Sequence, residues 1–181
     1  MNKKADIWIS AVIYIGLAIT ILTIVLAAGM PVINKLRDKN IEIQTRDVMS
    51  SLDDTIRTVV KEGPGSRRTP VIKINRGEFK IDEDQNEIVW TLSNSKFMFS
   101  QPDIEISEGN LKINTAESNV KGEYIVTISS SYADTGLRLN PQINVLSGQY
   151  NLVITNEGSK TDSLTIPPTT YIDVSIKELT T

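Results

Sequence analysis

The sequence predicts an α+β chain: a long N-terminal helix that crosses a membrane and continues as a stalk, then an all-β antiparallel sandwich. Three observations predict it. No residue from Ile7 to Asn34 is charged. From Ile33 to Val59 apolar residues keep helical spacing. From Pro70 onward the period falls to two, and turn residues break the chain into short runs.

The uncharged stretch covers about 28 residues, against the roughly 20 that an α-helix needs to cross the hydrocarbon core. A secretory signal has an apolar stretch of only about 7–15 residues before a small-residue cleavage site. "LAAGMP" does offer Ala27, Ala28 and Gly29, but the apolar run before it is too long, so the expectation is a retained span. Flanking charge does not orient it simply. Lys3, Lys4 and the α-amine precede the span; Lys35, Arg37, Lys39 and Arg46 come after it. Taken alone, the count slightly favours the bulk of the chain inside. Within the span, Gly16, Thr20, Thr23 and Ala27 fall at steps of four, three and four, one stripe of small or hydroxyl residues. Such a stripe lets helices approach closely in lipid, while the hydroxyls can equally bond their own helix's carbonyls.

Pro31 is expected to kink the helix without ending it. Beyond it Ile41, Val48, Leu52, Ile56 and Val59 recur at seven, four, four and three, with Ile33, Leu36 and Ile43 beginning a neighbouring strip. Glu42 with Arg46 and Asp53 with Arg57 are acid-before-base pairs at i,i+4. "GPG" at Gly63–Gly65 is a firm stop. The expectation is one helix from about Asp6 to Glu62, roughly 85 Å at about 1.5 Å per residue. Its second half has only a stripe, so Val48, Leu52, Ile56 and Val59 should pack against the rest of the chain.

That remainder holds about eight β-prone runs: "VIKIN", "EFKID", "EIVWTL", "IEIS", "LKIN", "EYIVTISSS", "QYNLVIT" and "YIDVSIKEL". "NRG", "DEDQN", "EGN", "ADTG", "NEG" and "PP" supply the turns. Short strands at regular spacing argue an antiparallel sandwich or barrel. The expected boundaries are 1–5 leader, 6–33 apolar helix, 34–62 amphipathic continuation, 63–69 linker and 70–181 sandwich.

Composition argues against most enzymology. The 181 residues include no cysteine and no histidine, which removes thiolate chemistry, the commonest zinc ligand and the most frequent general base. The net charge of -3 leaves no general basic face for nucleic acid. No cofactor or metal is expected. Asp82–Glu87, "DEDQNE", begins like a calcium loop but lacks the glycine and glutamate such a loop requires, and reads better as a hairpin tip. Asp53 and Asp54 point about 100° apart on a helix and do not converge; a solvated face is the expectation. "SRR" (Ser66–Arg68) reads as a polar loop, or as a contact for an anionic glycan or partner. Trp8 is expected near a membrane interface and Trp90 in the core.

A lysine pair and a small residue, then an uncharged helix, an amphipathic continuation and an all-β domain: this order resembles the archaeal type IV pilin-like proteins, the group that includes archaellins. In that group a short basic class III leader is cut by a prepilin peptidase just before the apolar helix. The pattern here reads Lys3-Lys4-Ala5 and then Asp6-Ile7-Trp8. The resemblance implies a cut after Ala5 and a processed chain beginning at Asp6. It implies lysines inside and the β domain outside, against the simple charge count; long domains translocate regardless of flanking charge. Many bacterial type IV pilins place a glutamate at the fifth processed position, where this chain has Ser10. The resemblance further implies a structural subunit in the cytoplasmic membrane and in a cell-surface filament, partnered by copies of itself or other pilins. The alternatives are a membrane-anchored β module that binds a ligand outside, and a pseudopilin-like part of a secretion or assembly machine.

Overall fold

The computed structural model describes residues 3–133, 136–140, 143–145, 148–162 and 169–178. The chain divides into two compact units, Met1–Arg37 and Asp38–Thr181. One helix, α1, spans Lys3–Glu62 without a break at Pro31.

In the first unit every described side chain from Ser10 to Arg37 is exposed except at Gly29. The exposed residues include Val12, Tyr14, Leu17, Ile21, Leu26 and Ile33. Apolar surface on all sides of a helix is stable only where water is absent.

In the second unit the end of α1 lies in the core of two sheets. The six-stranded sheet runs in the order β5 (Ile106–Glu108), β6 (Leu111–Glu117), β7 (Tyr124–Ser131), β4 (Glu87–Ser95), β3 (Glu78–Asp82) and β9 (Ile143–Val145). The five-stranded sheet is built on β10 (Gly148–Asp162). Along one edge β10 pairs in succession with β1 (Arg67–Arg68) and β2 (Val71–Ile74), and along the other with β11 (Thr169–Glu178). β8 (Leu137–Asn140) closes that sheet parallel to β11; every other described ladder is antiparallel. Alternation supplies the core, since successive strand residues face opposite sides. Ile88, Trp90 and Leu92 of β4 point in from one sheet, and Leu152, Ile154, Val174 and Ile176 from the other; with Met49, Leu52, Ile56 and Val59 of α1 they form one cluster.

Several local readings change on contact with the fold. Arg67–Arg68, inside the expected linker, form a strand. β8 and β9, outside the eight expected runs, alternate apolar and polar residues over only four and three positions and form through pairing with distant partners. "NEG" at Asn156–Gly158 is no turn but a bulge inside β10. Gly158 takes φ +90 there and its N–H donates to Asn156 Oδ1 at 2.8 Å. "DEDQN" does form a hairpin tip: Asp82 Oδ1 accepts from the N–H groups of Asp84 and Gln85 at 3.0 and 3.1 Å. The "PP" turn lies outside the described residues.

Trp90 anchors the β2–β3 turn. Its Nε1 donates to the Arg76 carbonyl at 2.9 Å. Gly77, next in the chain, has φ +96, and a Cβ there would lie 2.5 Å from the Thr91 carbonyl oxygen and 2.7 Å from Trp90 Nε1. Gly77→Ala therefore meets both a left-handed backbone and a clash against backbone. It should destabilise the domain by roughly 2–4 kcal/mol, lowering Tm by about 5–15 °C. Thermal unfolding monitored by Trp90 fluorescence measures it; an unchanged Tm would mean the turn rearranges freely.

Candidate functional site: an apolar helical segment and a polar seam under the sandwich

Two regions carry functional potential, and they lie in different units. The first is the apolar segment. The helix beginning at Ser10 is long and apolar enough to cross a membrane by length and composition, and none of its most apolar window is buried by the protein. Trp8 is 76% exposed. The predicted packing residues Gly16, Thr20, Thr23 and Ala27 are all exposed. Thr20 Oγ1 donates to the Gly16 carbonyl and Thr23 Oγ1 to the Ile19 carbonyl, both at 2.8 Å. A Cβ added at Gly16 would meet nothing within 4 Å. Among the described residues the stripe is therefore left exposed. Of the predicted processing residues, Lys3, Lys4, Ala5 and Asp6 have helical backbone and their side chains lie outside the described set.

The second region is the seam between Asp38–Glu62 and the sheets. Leu52, Ile56 and Val59 are at most 1% exposed, and Val48 is half-buried against the same core. Polar groups share this seam. The solvated face expected for Asp53 is not found: the residue is buried, with two donors on each oxygen. Tyr132 Oη at 2.6 Å and Ser130 Oγ at 3.3 Å reach Oδ1. Asn110 Nδ2 at 2.8 Å and Arg57 Nε at 2.9 Å reach Oδ2. Burial alone would raise this carboxyl, but the donors Arg57, Tyr132 and Asn110 outweigh it and hold it below the usual aspartate range. Burial, and then the bond to Asp53, push the Tyr132 phenol up. Asp54, its neighbour, is exposed as expected.

Two further contacts fix the ends of this helical stretch. At its start, buried Asp38 accepts from Arg76 Nη1 at 2.7 Å and from the Lys96 N–H at 2.6 Å. At its end, the last carbonyls would be left without partners. Ser66 Oγ donates to the Val59 carbonyl at 2.5 Å, and Asn156 Nδ2 approaches the Val59 and Val60 carbonyls at 3.4 and 3.5 Å. Gly65 N–H donates to the Asn156 carbonyl and Asn156 N–H to the Ser66 carbonyl. The helix stop is thereby bonded into the five-stranded sheet.

Apolar periodicity does not find these buried acids, yet the chain carries a signal for them. Asp38, Glu42, Thr45, Met49, Asp53 and Ile56 recur at four, three, four, four and three, a helical face of their own. Glu42 is the exception among them. It is 1% exposed, and neither carboxylate oxygen has a hydrogen-bond partner. Burial, opposed by Arg46, supported by Glu108 and opposed again by Lys39, pushes its carboxyl up to about 8.

On the outer face of the five-stranded sheet a groove of about 430 Å³ is lined by Arg67, Thr155, Glu157, Ser175 and Lys177. Among the described residues no group of three or more acids could hold a metal ion.

No family model matches this chain, and neither a curated protein nor a solved structure matches it. The architecture itself, one long apolar N-terminal helix and then a β-sandwich-like domain, is consistent with a generic pilin-like architecture.

Asp53 and Glu42 give stability opposite pH dependences. The folded carboxyl of Asp53 lies below its unfolded value, so its contribution is present above about pH 4 and is lost as pH falls through the folded value. The folded carboxyl of Glu42 lies above its unfolded value of 4.5, so stability is fully present below that and falls as pH rises to about 8. Asp53→Ala, which strands three neutral donors and Arg57, should cost about 2–4 kcal/mol at pH 7. Glu42→Gln should raise Tm at pH 7–9 and leave it unchanged near pH 4. Urea unfolding across this range measures both; a Glu42→Gln gain that is the same at every pH would refute the titration account.

Proposed function

We propose that the chain is a structural subunit of a cell-surface type IV pilus-like filament, anchored in the cytoplasmic membrane before assembly. The observation that carries this reading is the apolar segment of α1, whose described side chains the chain itself leaves bare. Water is excluded from such a surface in two settings: lipid, and a bundle of sister helices. A filament uses both in turn. The membrane solvates the segment before assembly and neighbouring copies solvate it afterwards, with the exposed stripe Gly16, Thr20, Thr23 and Ala27 as the close-approach face.

The proposed domain plan keeps the chain order: leader 1–5, core helix 6–33, amphipathic stalk 34–62, linker 63–69 and an outward-facing sandwich 70–181. A prepilin peptidase would cut between Ala5 and Asp6, with Lys3 and Lys4 retained inside. The fold supports a non-catalytic role through its construction: the buried carboxylates of the seam are either saturated with donors, as Asp53 and Asp38 are, or buried without a hydrogen-bond partner, as Glu42 is.

A second reading has its own support. The hydroxyls of Thr20 and Thr23 are satisfied within their own helix, so a lone helix is complete in lipid without a partner. The chain would then be a monomeric anchor, and the groove beside Arg67 and Lys177 its binding face.

Two measurements separate the readings. Intact mass of the native protein should correspond to a chain beginning at Asp6; retention of Met1–Ala5 would favour the simple anchor, and a start near Gly29 a secretory signal. Replacing Gly16 and Thr20 together with Leu should leave membrane insertion intact, because leucine is as good as glycine or threonine facing lipid. The same change should wedge sister helices apart and lower the yield of sheared filaments several-fold. Filament yield equal to wild type would remove the stripe from the assembly face.

A further inference from the structure

The orphaned Glu42 sits beside an ion pair that joins the helix to a short, exposed edge strand. β5 is three residues long, exposed along its length, and lies at the edge of the six-stranded sheet, with β6 as its one strand partner among the described residues. Its tie to α1 is the bond from Arg46 Nη1 to Glu108 Oε2 at 2.9 Å. Arg46 stands one turn after Glu42, the better orientation for an acid–base pair on a helix. Arg46 therefore has two possible acids: Glu108 across the seam and Glu42 on its own helix. It bonds Glu108, and Glu42 is left without any partner. That choice makes sense for a neutral Glu42 and not for an ionised one, because an unpaired buried charge is far costlier than an unpaired buried neutral acid.

We propose that Glu42, Arg46 and Glu108 form a proton-operated latch on β5. With Glu42 protonated, Arg46 is free to hold Glu108 and the edge strand is closed. When Glu42 gives up its proton to solvent, Arg46 turns back one helical turn to the new carboxylate, and Glu108 is released.

The surrounding charges set the conditions for the latch. On α1, Lys39 lies one turn before Glu42 and stands 5.9 Å over the Phe97 ring, so it favours ionisation without replacing Arg46. Asp38, also one turn before, is occupied by Arg76 and the Lys96 N–H. From the sheet, Glu108 opposes ionisation of Glu42. The turn of the hairpin, next to Glu108, stays fixed, since Asn110 holds Asp53. Gly109, at φ +60, lies between that anchor and Glu108 and is the natural pivot. Burial pushes the Glu42 carboxyl up to about 8, which puts the switching range just above neutrality. Release bares the edge of β6, an unpaired ladder able to accept another strand. The latch operates within the second unit and is independent of how residues 1–37 are used.

Hydrogen exchange of the full chain in detergent micelles tests this, with each amide's protection corrected for its intrinsic rate at pH 6.5 and pH 9.5. In wild type the amides of Ile106–Lys112 should lose about fivefold protection at the higher pH, the worth of one partly exposed ion pair, while β4 and β7 keep theirs. Glu42→Gln should hold the closed state at both pH values. Arg46→Gln, which does not disturb the buried acid's size, should show low β5 protection at both and no step between them. Equal wild-type protection at the two pH values, or a pH step that survives in either variant, would overturn the proposal.

Discussion

The burial of Leu52, Ile56 and Val59 is the constraint on which the sandwich depends. These side chains are at most 1% exposed and belong to the same cluster as Trp90, Ile128, Ile154 and Val174. Each fully buried aliphatic side chain contributes about 1.5–3 kcal/mol, so three of them rival the whole net stability of an ordinary domain, about 5–15 kcal/mol. The stretch Asp38–Glu62 is thus a part of the core and no mere connector. Neither sheet could keep its inner face dry without it. The five-stranded sheet has a broken edge. β1 and β2 meet β10 at Arg67–Arg68 and Val71–Ile74, with Pro70, which has no N–H for a ladder, in the gap between them.

Apolar packing is non-directional, and a helix with an apolar stripe could rotate or slide by one turn with modest loss. The buried polar contacts remove that freedom. Asp38 at one end, Asp53 in the middle and the Val59 and Val60 carbonyls at the other each require a partner at a set position along the axis. Sliding α1 by one turn would leave all three unsatisfied in the dry interior, at about 1–3 kcal/mol each and more for the carboxylates. Such groups contribute less to stability than to the choice of one register over its neighbours. Arg57 serves the same carboxylate twice: it bonds Asp53, and it lies 5.8 Å over the ring of Tyr132, whose hydroxyl also bonds Asp53.

Much of this is legible in the chain before folding. The step of four, four and three from Val48 to Val59 marks a buried face because helix geometry puts those residues on one side. The alternation Ile88, Trp90, Leu92 marks a strand for the analogous reason. The parts that sequence period does not reveal depend on distant partners. Arg67–Arg68 have no apolar alternation and are a strand through Thr155 and Ile154, nearly 90 positions away. Asn-Glu-Gly at 156–158 carries the composition of a turn, and the fold uses its positive φ and side-chain amide to bend a strand and cap a helix instead. Asp53 defies its sequence reading because carboxylates prefer water, a preference that four donors reverse. The stripe Gly16, Thr20, Thr23 and Ala27 is different in kind: its contacts, if it has them, are to molecules beyond one chain, so neither sequence period nor a single fold determines them.

Along α1 the role of the side chains changes at a definite point. From Ile7 up to Asn34 the stretch carries no charge. Charges return at Lys35 and Arg37, and at Asp38 the first buried carboxylate takes a pair of donors from the sheet loops, one on each oxygen. That residue is also where the second compact unit begins. The sandwich is therefore complete from Asp38 onward in core, caps and buried polar partners. Under the proposed filament role, a change of surroundings for the apolar segment would involve residues that contribute none of the described buried core.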